Sequence, residues 1–192
     1  RTLTVIGNGK VIAQANAVQL QISVVTKGND VTEAQQENAT IMNRVIQSIL
    51  SLNIPRENIQ TAAYTVHPTY NYIEGKQVFS GFEVTNTISV KVNDINQVGA
   101  VIDTAVQNGA NRISSLQFSV ENPDIYYQQA LSLALQNAQM KATTIADTMQ
   151  LSLHPQPIEI LEESNGTPIV AYKSIALAKQ SGSTPIEQGQ RA

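Results

Sequence analysis

A chain of 192 residues without a single cysteine excludes disulfides, thiolate zinc sites, iron–sulfur clusters and cysteine nucleophiles. Its 12 basic and 15 acidic side chains leave a net charge of −3, which gives no basic footprint for nucleic acid or an anionic membrane surface. Apolar residues make up 42% of the chain, enough for a core in one domain or two small ones, and 20 Gln and 16 Asn outnumber the charged residues.

Thr2–Ile6 is short and β-branched and is broken by Gly7-Asn8-Gly9. From Val11 to Thr26, Val18, Leu20, Ile22 and Val24 alternate with Gln19, Gln21 and Ser23, so the expectation is a half-buried strand that pairs with the first run or bends at the glycines. Asp30 and Glu33 have the spacing of a capping box, and Ala34, Ile41, Val45, Ile49 and Leu52 recur at helical spacing, predicting a helix over about 30–52 that ends at Asn53 and Pro55. Ile59–Tyr72 reads as a strand and Ile73–Gln77 as a turn. The return strand alternates cleanly, with Phe82, Val84, Ile88, Val90 and Val92 packed and Glu83, Thr85, Thr87, Ser89 and Lys91 wet.

Asp94 and Gln97 repeat the capping logic for a second helix, which carries Ile95, Val98, Val101, Ile102 and Ala105 and stops at Asn108-Gly109. Ile113, Leu116, Phe118 and Val120 mark a further strand. Asn122-Pro123-Asp124 opens the longest helix, predicted over about 124–150, with an alanine-rich face suited to close approach. Ile158–Leu161 and Ile169–Tyr172 are strand candidates joined by a turn at 164–167, and the aperiodic tail 179–192 is expected to be mobile or bound at an edge. The order predicts a single domain over 1–178 of the α+β class: an antiparallel sheet packed with three helices, with an internal β-α-β repetition.

Few constellations carry chemistry. Gly7-x-Gly9 lacks a third glycine at position 12, where Ile12 stands, and Gly9-Lys10 is followed by Val11, so neither phosphate-binding loop fits. His67 and His154 each precede a proline, and neither pairs with a ligand at helical spacing, so no metal and no cofactor are expected. Glu162 and Glu163 point to opposite faces of any strand and cannot share a proton. No Gly-x-Ser-x-Gly elbow exists, and no catalytic residues are assigned. Tyr64, Tyr70 and Tyr72 gather in one hairpin with His67 and Phe82. Cross-strand packing is the simplest account of them, and a ligand shelf or subunit contact is the functional one.

The ordered set Ile6-Gly7-Asn8-Gly9, Ala34 on an Asp-capped helix, Ile59-Gln60-Thr61, Pro68-Thr69-Tyr70-Asn71-Tyr72, Gly81-Phe82 and Gly109-Ala110-Asn111 resembles the SIMPL-domain family. So do Ala130, Ala134, Ala138 and Lys141-Ala142 before Ala146, and Thr184-Pro185 with Gly189. The resemblance runs from about residue 2 to 190. It implies bacterial extracytoplasmic proteins, periplasmic or secreted, some linked to oxidative-stress defence and one a periplasmic immunogenic protein, with assembly into ring-like oligomers in at least one member. It implies no catalytic residues.

Two departures stand out. Ala15-Asn16-Ala17 stands where the family has a proline-aspartate pair, and the sequence given stops at Arg191-Ala192, where the resemblance leads one to expect a closing strand after the Thr-Pro segment. The terminus shows none of the features of a secretory leader, and no run of about 18 apolar residues could span a membrane. The compartment is not readable from the terminus; a leader removed ahead of Arg1 is what the resemblance implies. The resulting expectation is a non-enzymatic envelope or secreted protein that self-assembles or binds a protein partner. A small-ligand module or enzyme built on the tyrosine hairpin and a signalling adaptor are the rivals.

Overall fold

The computed structural model describes residues 2–163, which form two compact units: 15–119, and 2–14 together with 120–163. The strand expected at 169–172, its turn, the closing Thr-Pro segment and the boundary at 178 lie outside the described residues.

The larger unit runs β1 (Ala17–Gly28), α1 (Val31–Leu50), β2 (Ile59–Ile73), β3 (Lys76–Val92), α2 (Val98–Gln107) and β4 (Arg112–Ser119). The sheet order is β2-β3-β1-β4, with every neighbouring pair antiparallel. Thus β1 and β2 run parallel with β3 inserted between them. Two such split β-α-β units give the ferredoxin-like connection pattern, which is the internal repetition read from the sequence.

The starts and stops follow local chemistry. Asp30 Oδ1 accepts the Glu33 amide at 2.8 Å and opens α1. Asn53 takes a left-handed φ of 61° before Pro55, so the helix cannot continue. Asp94 closes one residue earlier than the expected box: its carboxylate accepts the Asn96 amide at 2.9 Å, forming a 3₁₀ turn, Ile95–Gln97, ahead of α2. Gly109, at φ 113°, ends α2.

The central strand β1 organises the core. Val18, Leu20, Ile22 and Val24 are fully buried, with Val90, Ile88 and Val92 from β3 and Met42, Val45 and Ile49 from α1 in the same cluster. Val98, Val101 and Ala105 of α2 complete it. Each such aliphatic side chain contributes about 1.5–3 kcal/mol by leaving water.

The spacing of Ile113 and Leu116 breaks a period of two, and the reason is a β-bulge. Leu20 pairs with Leu116 and Gln21 with Ser114, leaving Ser115 as the extra residue at φ 55°. The bulge returns Ile113 to the core face opposite Ile22.

Several amides complete the backbone. Past the last β4 pair, Asn111 substitutes for a strand residue: its side chain accepts from Val25 N at 2.8 Å and donates to Val25 O at 2.8 Å. Buried Asn38 on α1 donates to Val24 O at 2.9 Å and Val84 O at 3.3 Å, joining the helix to β1 and β3. Asn58 donates to Lys91 O at 3.0 Å.

The smaller unit is built on α3 (Pro123–Thr148). Thr2–Ile6 is not a strand, and no hairpin joins it to β1, which begins only at Ala17. Helix side chains reach two backbone groups where this segment meets the glycine pair: Asn8 N donates to Asn137 Oδ1 at 3.1 Å, and Lys141 Nζ donates to Ile6 O at 2.8 Å. Gly7 and Gly9 lie so close to α3 that a Cβ on either would run into the carbonyl oxygens of Ala134 and Ala130. The glycine pair and the alanine stripe are thus two halves of one contact. Ile158–Leu161 is likewise not a strand, and Ile158, Ile160 and Leu161 are exposed. No ladder partner meets them among the described residues, and period alone does not make a strand.

Gly9→Ala should therefore weaken docking of the segment on α3 by about 1–3 kcal/mol. Faster hydrogen exchange at residues 2–12 would report it, while exposed Thr4→Ala should stay within about 0.5 kcal/mol of the parent.

Candidate functional site

Strand β1 stops pairing with β3 at Gly28↔Phe82, but β2 and β3 continue together from Thr69↔Gly81 to Ile73↔Lys76. Beyond Phe82 the hairpin is a two-stranded arm. Its tip is the two-residue loop Glu74-Gly75, with φ of 49° and 76°, as a type I′ turn requires.

A bulge decides which side chains share a face. Thr69 pairs with Gly81 and Tyr70 with Phe79, so Ser80 is the extra residue in β3. A second bulge, at Ala62 in β2, restores the register towards Ile59↔Val90. Counted straight back from the turn, His67 would oppose Phe82; the Ser80 bulge places it opposite Glu83 instead. One slipped residue exchanges the two faces. Tyr64, Val66, Pro68, Tyr70 and Tyr72 consequently lie on the face that carries Phe79, Phe82 and Val84.

Gly81 sits at φ 122°, where a Cβ would stand 2.6 Å from the Gly28 carbonyl oxygen, so the bulge tolerates little but glycine there. The Ser80 hydroxyl donates to Thr69 Oγ1 at 3.0 Å across the bulge.

The rings form a run. Tyr70 meets Phe79 edge to face at 6.1 Å, and Phe79 meets Phe82 at 5.3 Å. Gln35 of α1 donates to Tyr64 Oη at 3.4 Å, marking where the row leaves the helix-covered sheet. Further out the rings are open to solvent, with Tyr72 77% and Phe79 51% exposed. Between Ile59 and Ile73 there is no Lys, Arg, Asp or Glu, and among the described residues no strand pairs with the outer side of β2. Sheet edges usually carry charge against such exposure; here only Pro68 breaks the row of amides.

Of the five residues singled out in the sequence, the fold brings Tyr64, Tyr70, Tyr72 and Phe82 to one face and places His67 on the other. There His67 Nε2 lies 3.4 Å from Glu83 Oε1, and Lys27 Nζ lies 3.7 Å from Glu83 Oε2. A shallow depression of about 540 Å³ adjoins them, lined by Lys27, His67, Pro68, Thr69, Tyr70, Asn71 and Ser80. Glu83 and Lys27 were readable only as wet residues of alternating strands, because their meeting with His67 depends on the bulge. Among the described residues no three His, Asp or Glu side chains cluster to hold a metal, and no helix is long and apolar enough to cross a membrane.

Fold and arm together define an α+β domain whose most distinctive exposed element is an aromatic hairpin. The chain belongs to the SIMPL family, described as a protein of unknown function (DUF541), whose model matches residues 3–192. It is 26% identical over 200 residues to the 26 kDa periplasmic immunogenic protein of Brucella melitensis, covering 99% of this chain and 80% of that one. To the uncharacterized protein YggE of Escherichia coli it is 28% identical over 150 residues, 78% of this chain and 61% of YggE. YggE of Edwardsiella ictaluri is 22% identical over 183 residues, 95% of this chain and 77% of that relative.

Glu74 is a non-glycine residue in left-handed conformation, which costs about 1–2 kcal/mol. Glu74→Asn, the residue this turn favours, should stabilise the arm by about 0.5–1 kcal/mol, seen as slower amide exchange at 70–79.

Proposed function

We propose that this chain is a non-catalytic protein of the bacterial envelope or periplasm, and that it works by associating with further copies of itself through the β2–β3 arm. The extracytoplasmic setting is supported by the printed description of the Brucella relative as periplasmic. Its physiological context, in this proposal, is envelope protection under stress, as the family resemblance implies.

The observation that carries the association is the exposed aromatic row on a charge-free edge strand. Tyrosine and phenylalanine are enriched in the centre of protein interfaces and charged residues are depleted there. An open edge offers backbone hydrogen bonds to another strand. A second copy suits this surface because an identical partner brings no like-charge conflict along β2. At the tip, Glu74 and Lys76 supply one charge of each sign, which a two-fold arrangement can pair.

Light scattering over a concentration series tests this reading. The native chain should form oligomers, and Tyr70→Ser combined with Tyr72→Ser and Phe79→Ser should shift the equilibrium to monomer by at least about tenfold in dissociation constant, because hot-spot aromatics contribute about 2 kcal/mol or more each. A native chain that stays monomeric at every concentration would refute the proposal.

A further inference from the structure

Backbone groups in a strand alternate in direction as its side chains do, so the turn settles which groups of β2 face outward. Ile73↔Lys76 closes the two-residue loop Glu74-Gly75, and the pair flanking such a loop exchanges its hydrogen bonds inward. The Ser80 bulge lies in β3 and the Ala62 bulge at the far end, so alternation along β2 is unbroken from Ile73 to Ala63. Asn71, Thr69, His67 and Thr65 therefore bond to β3, while Tyr72, Tyr70, Pro68, Val66 and Tyr64 turn their backbone to the outer edge. The same five residues carry their side chains on the aromatic face.

Pro68 is the middle one of the five. Proline has no N–H, and its Cδ occupies the place where that group would point. Facing outward, it removes no bond of the β2–β3 ladder, which is how a strand of 15 residues accommodates it. What it obstructs is a strand arriving from outside. Only two outward residues remain on either side, Tyr70 and Tyr72 towards the tip and Tyr64 and Val66 towards the root, before the turn or the Ala62 bulge intervenes. Each run is at the lower limit of ordinary strand length.

We infer that Pro68 sets the mode of contact: it bars a continuous ladder along β2, so a second copy meets the arm through the aromatic face. The mode rests on the arm being the contact proposed above; the bar to laddering does not. The face suits a second copy by charge. From Tyr64 to Tyr72 and from Gln77 to Val84 its side chains include no Lys, Arg, His, Asp or Glu, because Lys76, Glu83 and His67 project from the reverse. Two such faces stacked about a two-fold axis bring no charge into the contact, and sheets packed about 10 Å apart leave room for rings to interdigitate. One partner covers a face, whereas an open edge is a template for strand after strand.

Hydrogen exchange at the outward amides of Tyr64, Val66, Tyr70 and Tyr72, followed from dilute to concentrated protein, tests the inference in the parent and in Pro68→Val. The variant should self-associate with a gain in protection of at least about tenfold across all four amides, as a continuous ladder requires. The parent should show no such gain as a block. Adding Val66→Pro moves the obstruction one outward position along the edge and should abolish the gain. Dilute Pro68→Val should keep the parent's protection at the inward amides of Thr65, His67, Thr69 and Asn71; a loss there would assign the proline to the hairpin itself and overturn the inference. So would a parent that gains protection at all four outward amides together, or a Pro68→Val chain that gains none. Light scattering on the same samples separates the two ideas. A parent that stays monomeric while Pro68→Val ladders upholds the bar and refutes arm-mediated association of the native chain.

Discussion

One strand runs out before its neighbours do, and the rest of the structure depends on where. Strand β1 pairs with β4 as far as Ser23 and with β3 as far as Gly28, and it carries four fully buried aliphatic side chains; past Gly28 the sheet is reduced to a hairpin. The same boundary holds the close approach of the Gly28 carbonyl to Gly81, the Ser80 bulge and the Lys27–Glu83–His67 row. A stable core thus ends abruptly in a projecting ribbon. An isolated two-stranded ribbon is marginal in water, so this one relies on its root and on whatever its aromatic face meets.

Much of this was legible in the sequence. Strict alternation from Phe82 to Val92, the Asp30 cap and the Asn53–Pro55 stop each name their element because backbone chemistry there is local. The glycine pair at 7 and 9 was legible as a break but not as a docking device, since its partner, the Ala130/Ala134/Ala138 stripe, lies more than a hundred residues away. A β-branched run such as Thr2–Ile6 favours strand only when a ladder is offered, and here the run leads instead to α3, whose Lys141 and Asn137 bond Ile6 O and Asn8 N.

The bulges were the least legible feature and the most consequential. Ala62, Ser80 and Ser115 are ordinary residues, and a bulge demands no special side chain at the extra position. Only Gly81, beside Ser80, hinted at one. Strand alternation alone sets His67 on the face opposite the tyrosines; without the bulge Phe82 would share His67's face, whereas with it Phe82 joins the tyrosines and Glu83 meets His67 on the reverse. The amides, unexplained by composition alone, have a partial account in the same terms: Asn38, Asn58 and Asn111 supply hydrogen bonds where the ladder or the helix packing leaves carbonyls and amides unpaired.

The central claim is that the aromatic face of the arm is what a second copy covers. Because the chain contains no tryptophan, Phe79→Trp places a single fluorescent reporter in the middle of that face. If the arm is the contact, its emission should move to shorter wavelength and become shielded from a soluble quencher as protein concentration rises through the range where scattering shows oligomers. Emission and quenching that stay constant across that range would contradict the account.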